Sequence, residues 1–217
     1  MTLRMLLVGT VEVCLQVINI PTIKPTFPEI IKTIQSNSPH PIIYKLSLTN
    51  QSYSLAAVLV ILTMVEDRLH IVFTHRTGLV NTHKDQVSFP GGAMDVNDVS
   101  LLKTGMRETC EEIGVEIKSK EVIARLNHVF TPFYFRITPY ICFKEKIDYY
   151  TTNPHEVARV FTIPLSWFLD PEHKKVKLIK SRDGKKRRAI FYIPYDGEEV
   201  WGITAAIINQ LTMLLRK

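Results

Sequence analysis

Two apolar runs, residues 55–64 and 69–75, are separated by little more than Glu66-Asp67-Arg68. Runs of that length, bounded by a polar turn, predict two buried strands joined as a hairpin. Pro28 ahead of Ile30, Ile31 and Ile34 predicts a short helix over 27–35. A brief extended piece, 86–89, runs into Pro90-Gly91-Gly92, a strong breaker. Helical spacing resumes over 99–113, with Asp98 placed to cap its start and Gly114 to end it. Strand-like segments follow at 122–130, 135–143 and 156–163, then a helical turn at 164–169. Segments 175–180 and 187–193 flank Asp183-Gly184, a hairpin signal. An amphipathic helix over 200–215 closes the chain. The order predicts an α+β fold, a mixed β-sheet layered with helices as an α/β/α sandwich.

Composition narrows this little. The chain has 217 residues, 46% hydrophobic and 22% charged, with 9 Gly and 12 Pro, which excludes general disorder and low-complexity architecture. No apolar run approaches the ~18–20 residues of a membrane-spanning helix, so a soluble protein is expected. Cys14, Cys110 and Cys142 are too few and too widely spaced for a disulfide framework or a CxxC metal site. A reducing compartment is expected, the cytoplasm or an organellar matrix. Alternation of Val11, Val13, Leu15 and Val17 reads as a strand or an added arm, within a partly helical N-terminal extension over 1–50.

Charge changes the picture more. The net charge of +6 is local: the stretch 173–188 holds nine Lys and Arg against Asp183 alone. The rest of the chain carries 18 basic and 20 acidic side chains, a net of −2. Protein-wide affinity for nucleic acid is therefore not implied, and a solvated hairpin whose lysines protect a sheet edge is the expected reading.

The chemistry sits in the 99–113 helix. With Glu108 at 0°, a turn of about 100° per residue puts Glu112 at about 40° and Glu111 at about 300°. Val99, Leu102, Met106, Cys110 and Ile113 fall on the opposite side, at about 120–200°. That side is expected to be buried, making Cys110 an inert core thiol. Glu108 is like-charged with Glu111 and Glu112 at both neighbouring spacings, costing about 0.2–0.5 kcal/mol per pair in an isolated helix. A hard divalent cation reverses the sign of that interaction. Gly91-Gly92 just upstream offers backbone amides for close approach to a phosphate. A glycine turn feeding three aligned carboxylates suggests metal-assisted chemistry on a phosphoanhydride.

The segment Arg107-Glu108-Thr109-Cys110-Glu111-Glu112-Ile113-Gly114-Val115 resembles the second half of the Nudix box, GX5EX7REUXEEXGU, with Thr109 at a usually aliphatic position. The distance from Gly92 to Arg107 is one residue longer than in that pattern, as in coenzyme A diphosphatases of the superfamily. The box's leading Glu then falls at Val99, with Asp98 beside it able to substitute. Phe73-Thr74-His75-Arg76-Thr77, Gln86-Val87-Ser88-Phe89-Pro90-Gly91-Gly92, Asn153-Pro154-His155-Glu156-Val157 and Trp201-Gly202-Ile203-Thr204-Ala205 are similar to further motifs of that branch. Asn81 and Asp85 stand where the branch carries Arg and Gly.

The resemblance implies a Nudix domain over 51–217 and hydrolysis of a nucleoside diphosphate linked to a second moiety. For coenzyme A or a derivative, the products are 4′-phosphopantetheine, or its acyl form, and adenosine 3′,5′-bisphosphate. It implies Glu108, Glu111 and Glu112 as ligands of Mg²⁺ or Mn²⁺. Glu111, Glu112, Arg107 and Glu156 form the catalytic set, with Arg107 orienting a carboxylate and Glu156 an outside candidate for general base. Arg76, Gly91 and Gly92 are the expected substrate contacts. The expected partner is a small-molecule diphosphate, with no membrane or nucleic acid, and a homodimer is compatible with this. Two rivals remain: a nucleoside triphosphate or damaged-nucleotide pyrophosphohydrolase, and a non-catalytic nucleotide- or RNA-binding module using the basic hairpin. Phe130, Phe133, Tyr134 and Phe135 can stack on a base but are expected in packing. His75 and His128 read as scaffold, Trp167 and Trp201 as packing anchors.

Overall fold

A computed structural model describes residues 26–37, 53–77, 86–180, 184 and 186–216. The sequence readings of residues 1–25, of Asn81 and Asp85, and of Asp183 in the hairpin turn lie outside them. Strand β1 (Ser54–Val65) is central. Its apolar run is buried from Leu59 to Leu62, each fully inaccessible, because helices cover both faces of the sheet. β1 turns into β2 (Arg68–Arg76) through Glu66 and Asp67, at φ +47° and +58°. Two consecutive left-handed residues make the tight hairpin that matches strand twist, here without the usual glycine.

β3 (Val87–Ser88) pairs with β2, and β4 (Gly91–Ala93) pairs with the first half of β1. The predicted 122–130 strand is broken into β5 (Val122–Arg125) and β6 (Val129–Phe130), both against β7 (Phe135–Phe143). β7 lies parallel to β1, whereas β8 (Val157–Pro164) is antiparallel to β2, so the sheet is mixed.

Among the described residues four α-helices flank it: α1 (Phe27–Asn37), α2 (Leu101–Ile113), the short α3 (Leu165–Leu169) and α4 (Gly202–Leu215). One face of the sheet packs with α1, α3 and α4 through Val60, Leu62, Phe73, Ile141, Phe168, Ile208 and Leu211. Ile34 of α1 is fully buried in this same core. The other face packs with α2 through Leu59, Ile61, Val72, Met106, Ile113 and Cys142. The expected α+β fold with helix layers on both sides is observed. Among the described residues, no helix is long and apolar enough to cross a membrane.

β9 (Lys174–Lys180) and β10 (Lys186–Tyr192) form a separate two-stranded hairpin. Its base is anchored by Phe191 stacked on Trp201, 5.5 Å between centroids, and by Trp167 Nε1–H donating to the Ile193 carbonyl at 3.2 Å. α4 begins at Gly202, two residues later than expected, because Trp201 is extended and bridges to Phe191.

Candidate active site

Helix α2 starts at Ser100, whose Oγ accepts from the Lys103 N–H, and not at Asp98. Gly114 ends it at φ +70°, with its N–H donating to the Cys110 carbonyl. The face it buries differs from the expected one. Thr104, Gly105, Met106, Thr109, Glu112 and Ile113 are covered, whereas Val99 is 86% accessible and Cys110 is exposed. The cause is a close approach to β1 at Gly105, where a Cβ would stand 3.0 Å from the Leu59 side chain and 3.5 Å from the Ala57 Cβ. Small residues at 105 and 109 roll the helix about 60° toward Thr109, relative to the apolar arc drawn from the sequence. Thr109 is fully buried and its Oγ1 has no hydrogen-bond partner.

The roll draws Glu112 inward, 3% accessible, where its Oε2 accepts from the Gly91 N–H at 3.0 Å. The Gly91 amide, expected to face a phosphate, is thereby engaged. Gly91 adopts φ +138°, and a Cβ there would lie 2.3 Å from the Ala57 carbonyl oxygen. At Gly92 a Cβ would lie 2.3 Å from Glu108 Oε2, so this glycine leaves the room that the carboxylate occupies. Glycine is needed at both positions, the first for the backbone and the second for a side chain.

Arg107 gathers the remaining acids. Its Nε and Nη2 donate to Asp98 Oδ1 and Oδ2 at 3.1 and 2.9 Å, a two-pronged pair. Its Nη1 lies 2.9 Å from Glu108 Oε1 and 2.8 Å from Glu111 Oε2. Arg76, at the end of β2, brings Nη1 to 3.9 Å from Glu112 Oε1. Glu156 precedes β8, held by Asn153 Nδ2–H at 3.2 Å, and the Asn153 N–H donates to the Glu112 carbonyl.

These positions tune the acids in opposite directions. Arg107 holds the Asp98 carboxyl well below the usual carboxylate range, helped by the Asp95 backbone. Burial pushes the Glu112 carboxyl up to about 7; the Gly91 N–H and Arg76 oppose this, while Glu156 and Glu108 add to it. Burial also raises Glu108, against Arg107. The structure thus brings Glu108, Glu112 and Glu156 within electrostatic reach, with Arg76 and Arg107 at the margins. Glu111 stands further out, 57% of its side chain accessible and held by Arg107.

Among the described residues no three acidic, histidine or cysteine side chains converge into a ready-made metal cage. The donor chemistry nevertheless fits a hard divalent ion. It is oxygen-only, and burial and mutual repulsion disfavour charge on Glu108 and Glu112, the condition a dication relieves. Of the two sequence readings of Asp98, the helix cap is not observed, because Ser100 fills that role, and the residue pairs with Arg107 instead.

The NUDIX domain family matches residues 54–190, a span holding every residue of this cluster. The chain is 33% identical over 141 residues to the uncharacterized Nudix hydrolase NudL of Photorhabdus laumondii, covering 65% of this chain and 74% of that one. It is 29% identical over 186 residues to the NudL of Yersinia enterocolitica, covering 86% and 91%. Among solved structures, a MutT/nudix family protein from Enterococcus faecalis superposes with a TM-score of 0.53 at 17% identity, covering 77% of this chain and 64% of that one. The chain therefore spans just under two thirds of that structure, and the likeness concerns the fold.

Proposed function

This chain belongs to the Nudix hydrolase family and is an enzyme acting on nucleoside-diphosphate-linked substrates, and from that premise we propose that its substrate is coenzyme A or a derivative. The products are 4′-phosphopantetheine, or its acyl form, and adenosine 3′,5′-bisphosphate. The observation carrying this reading is how the long spacing between Gly92 and Arg107 is used. The loop closes when Asp98 grips Arg107 with both oxygens, so the variant spacing of the coenzyme A branch is accommodated with the carboxylates on the glycine turn.

In this reading Glu108, Glu111 and Glu112 hold Mg²⁺ or Mn²⁺. When bound, the ion supplies charge neutralisation of the diphosphate and acidifies a water. Arg107 is a positioning residue, fixing Glu108 and Glu111 against Asp98. Arg76, itself partly accessible beside the buried Glu112, meets a phosphate oxygen. Glu156 takes the proton as water adds to phosphorus and the anhydride P–O bond breaks toward the second phosphate. Gly91 and Gly92 keep side chains out of the space where the diphosphate and the carboxylates meet.

The test is a product-resolved hydrolysis screen by mass spectrometry with Mg²⁺ and Mn²⁺, on wild type and Glu112→Gln. The panel holds coenzyme A, acetyl-coenzyme A, NADH, ADP-ribose and nucleoside triphosphates. Adenosine 3′,5′-bisphosphate is expected from the wild type, with turnover reduced about a thousandfold in the variant while its circular dichroism is retained. Pyrophosphate and a monophosphate as the main products would overturn the reading in favour of a triphosphate pyrophosphohydrolase. Folded protein that turns over nothing would leave a binding module.

A further inference from the structure

The α2 face of the sheet does not end at the glycine turn. In register, Gly92 opposes Ala57 on β1, and Ala57 opposes Thr138 on β7. Two strand spacings, about 10 Å, therefore separate Gly92 from Thr138 on one face of the sheet. Arg136 is the next residue along β7 on that face, beside Leu55 of β1 and opposite Phe130 of β6. His128 completes the group, its Nδ1 hydrogen-bonded to Thr138 Oγ1 at 2.9 Å.

The chemistry of this group is unlike that of a packed core. Arg136 Nε is a buried donor with no hydrogen-bond partner among the described residues. Burial lowers the His128 imidazole pKa, and Arg136 and then Arg125 lower it further, so positive charge gathers here. Aromatic rings flank it: Tyr53 lies 5.0 Å from Phe130 and 6.2 Å from Tyr134 between centroids. Tyr134 is 51% accessible and sits at φ +60°, a conformation uncommon for a bulky residue. The turn that imposes it is built by Thr131, which accepts from the Phe133 and Phe135 N–H groups through Oγ1 and from the Tyr134 N–H through its carbonyl. A groove of about 500 Å³ at the end of β4 is lined by Leu55, Met94, Asp95 and Phe135, with Leu55 paired in register with Arg136.

We propose that Arg136, with His128 beside it, receives a phosphomonoester that the enzyme does not cleave, while the Tyr53–Phe130–Tyr134 rings accept the attached base. A buried guanidinium donor without a partner, an imidazole beside it and aromatic rings of which Tyr134 is exposed recognise a phosphorylated nucleoside. The proposal rests on the substrate reading above, under which the uncleaved group is the 3′-phosphate of the nucleoside. It names Arg136 as the residue that separates a 3′-phosphorylated substrate from its dephosphorylated counterpart.

The test compares wild type, Arg136→Gln and Arg136→Lys on coenzyme A and on 3′-dephospho-coenzyme A, with melting curves as a control for folding. In Arg136→Gln, KM for coenzyme A is expected to rise about ten- to a hundredfold with kcat nearly unchanged, and the dephosphorylated substrate to be unaffected. Arg136→Lys keeps the charge but not the planar fork, and recovers part of the loss. Equal changes on both substrates, or none, overturn the proposal. So does discrimination that is lost only on replacing Lys180 and Lys186 of the hairpin.

A direct binding arm separates this proposal from the substrate reading. Titration calorimetry with adenosine 3′,5′-bisphosphate and with AMP needs no turnover. Tighter binding of the bisphosphate that disappears in Arg136→Gln supports the subsite even if wild type fails to cleave coenzyme A. Absence of that preference in wild type overturns it.

Discussion

The α2–β4 face and the β9–β10 hairpin are both dense in charge, and they use it in opposite ways. On α2 the charges are mixed and packed: Arg107 is shared among Asp98, Glu108 and Glu111, and Glu112 is buried against a backbone amide. On the hairpin one sign dominates and the side chains are solvated, with Lys180 directly opposite Lys186 across the strands. Val176 and Leu178, earlier on β9, are 53% and 68% accessible. The charges that set geometry are those whose removal leaves a partner stranded in a low-dielectric site. Solvated charges at a hairpin tip change local potential and little else.

Mutations can sharpen this contrast, beginning with the largest effect. Gly91→Ala forces a Cβ into the Ala57 backbone at a φ that alanine avoids, and should destabilise the protein by about 3 kcal/mol in urea unfolding. Gly92→Ala meets only the flexible end of Glu108. It should fold, yet lose about a hundredfold in turnover because Glu108, the proposed metal ligand, is displaced. If both variants lost stability equally, the distinction between a backbone and a side-chain requirement would fail.

A smaller effect is expected at Asp98. Asp98→Asn removes the charge facing Arg107 while keeping the shape. About tenfold should be lost in kcat, with weaker apparent metal affinity, in the manner of an outer residue that orients ligands. Unchanged kinetics would show that Glu108 and Glu111 alone hold the guanidinium.

Thr109→Val tests packing on the same helix without touching charge. The orphaned hydroxyl leaves, and stability should rise by about 1 kcal/mol with turnover preserved. The hairpin comes last. Lys186→Glu turns a repulsive cross-strand pair into an attractive one, for a gain of at most about 0.5 kcal/mol in thermal unfolding and no change in hydrolysis. A loss of turnover there would bring the hairpin into the site and dissolve the comparison.

Much of this molecule is written locally. The apolar runs forming β1 and β2, the hairpin around Gly184 and the Gly114 stop follow from period and turn chemistry, which act over a few residues. So does the placing of Glu108, Glu111 and Glu112 on one side of α2, which helix geometry alone sets, although Glu111 stands further out than the other two. The misreadings of Cys110 as buried and of Asp98 as the helix cap have separate causes. A helical wheel gives the apolar arc but not the depth to which the helix sinks, and Gly105 and Thr109 let α2 approach β1 at an angle that hydrophobicity does not encode. Asp98 satisfied a local role, the helix cap, that Ser100 fills better.

By itself, then, the sequence determined which residues could carry chemistry and which element bears each. Tertiary structure decided which carboxylate is buried, which glycine serves the backbone and which a side chain, and that Arg136 and His128 share a sheet face with the glycine turn. Those outcomes depend on contacts between strands and helices far apart in the chain, where burial and long-range electrostatics act and local periodicity carries no information.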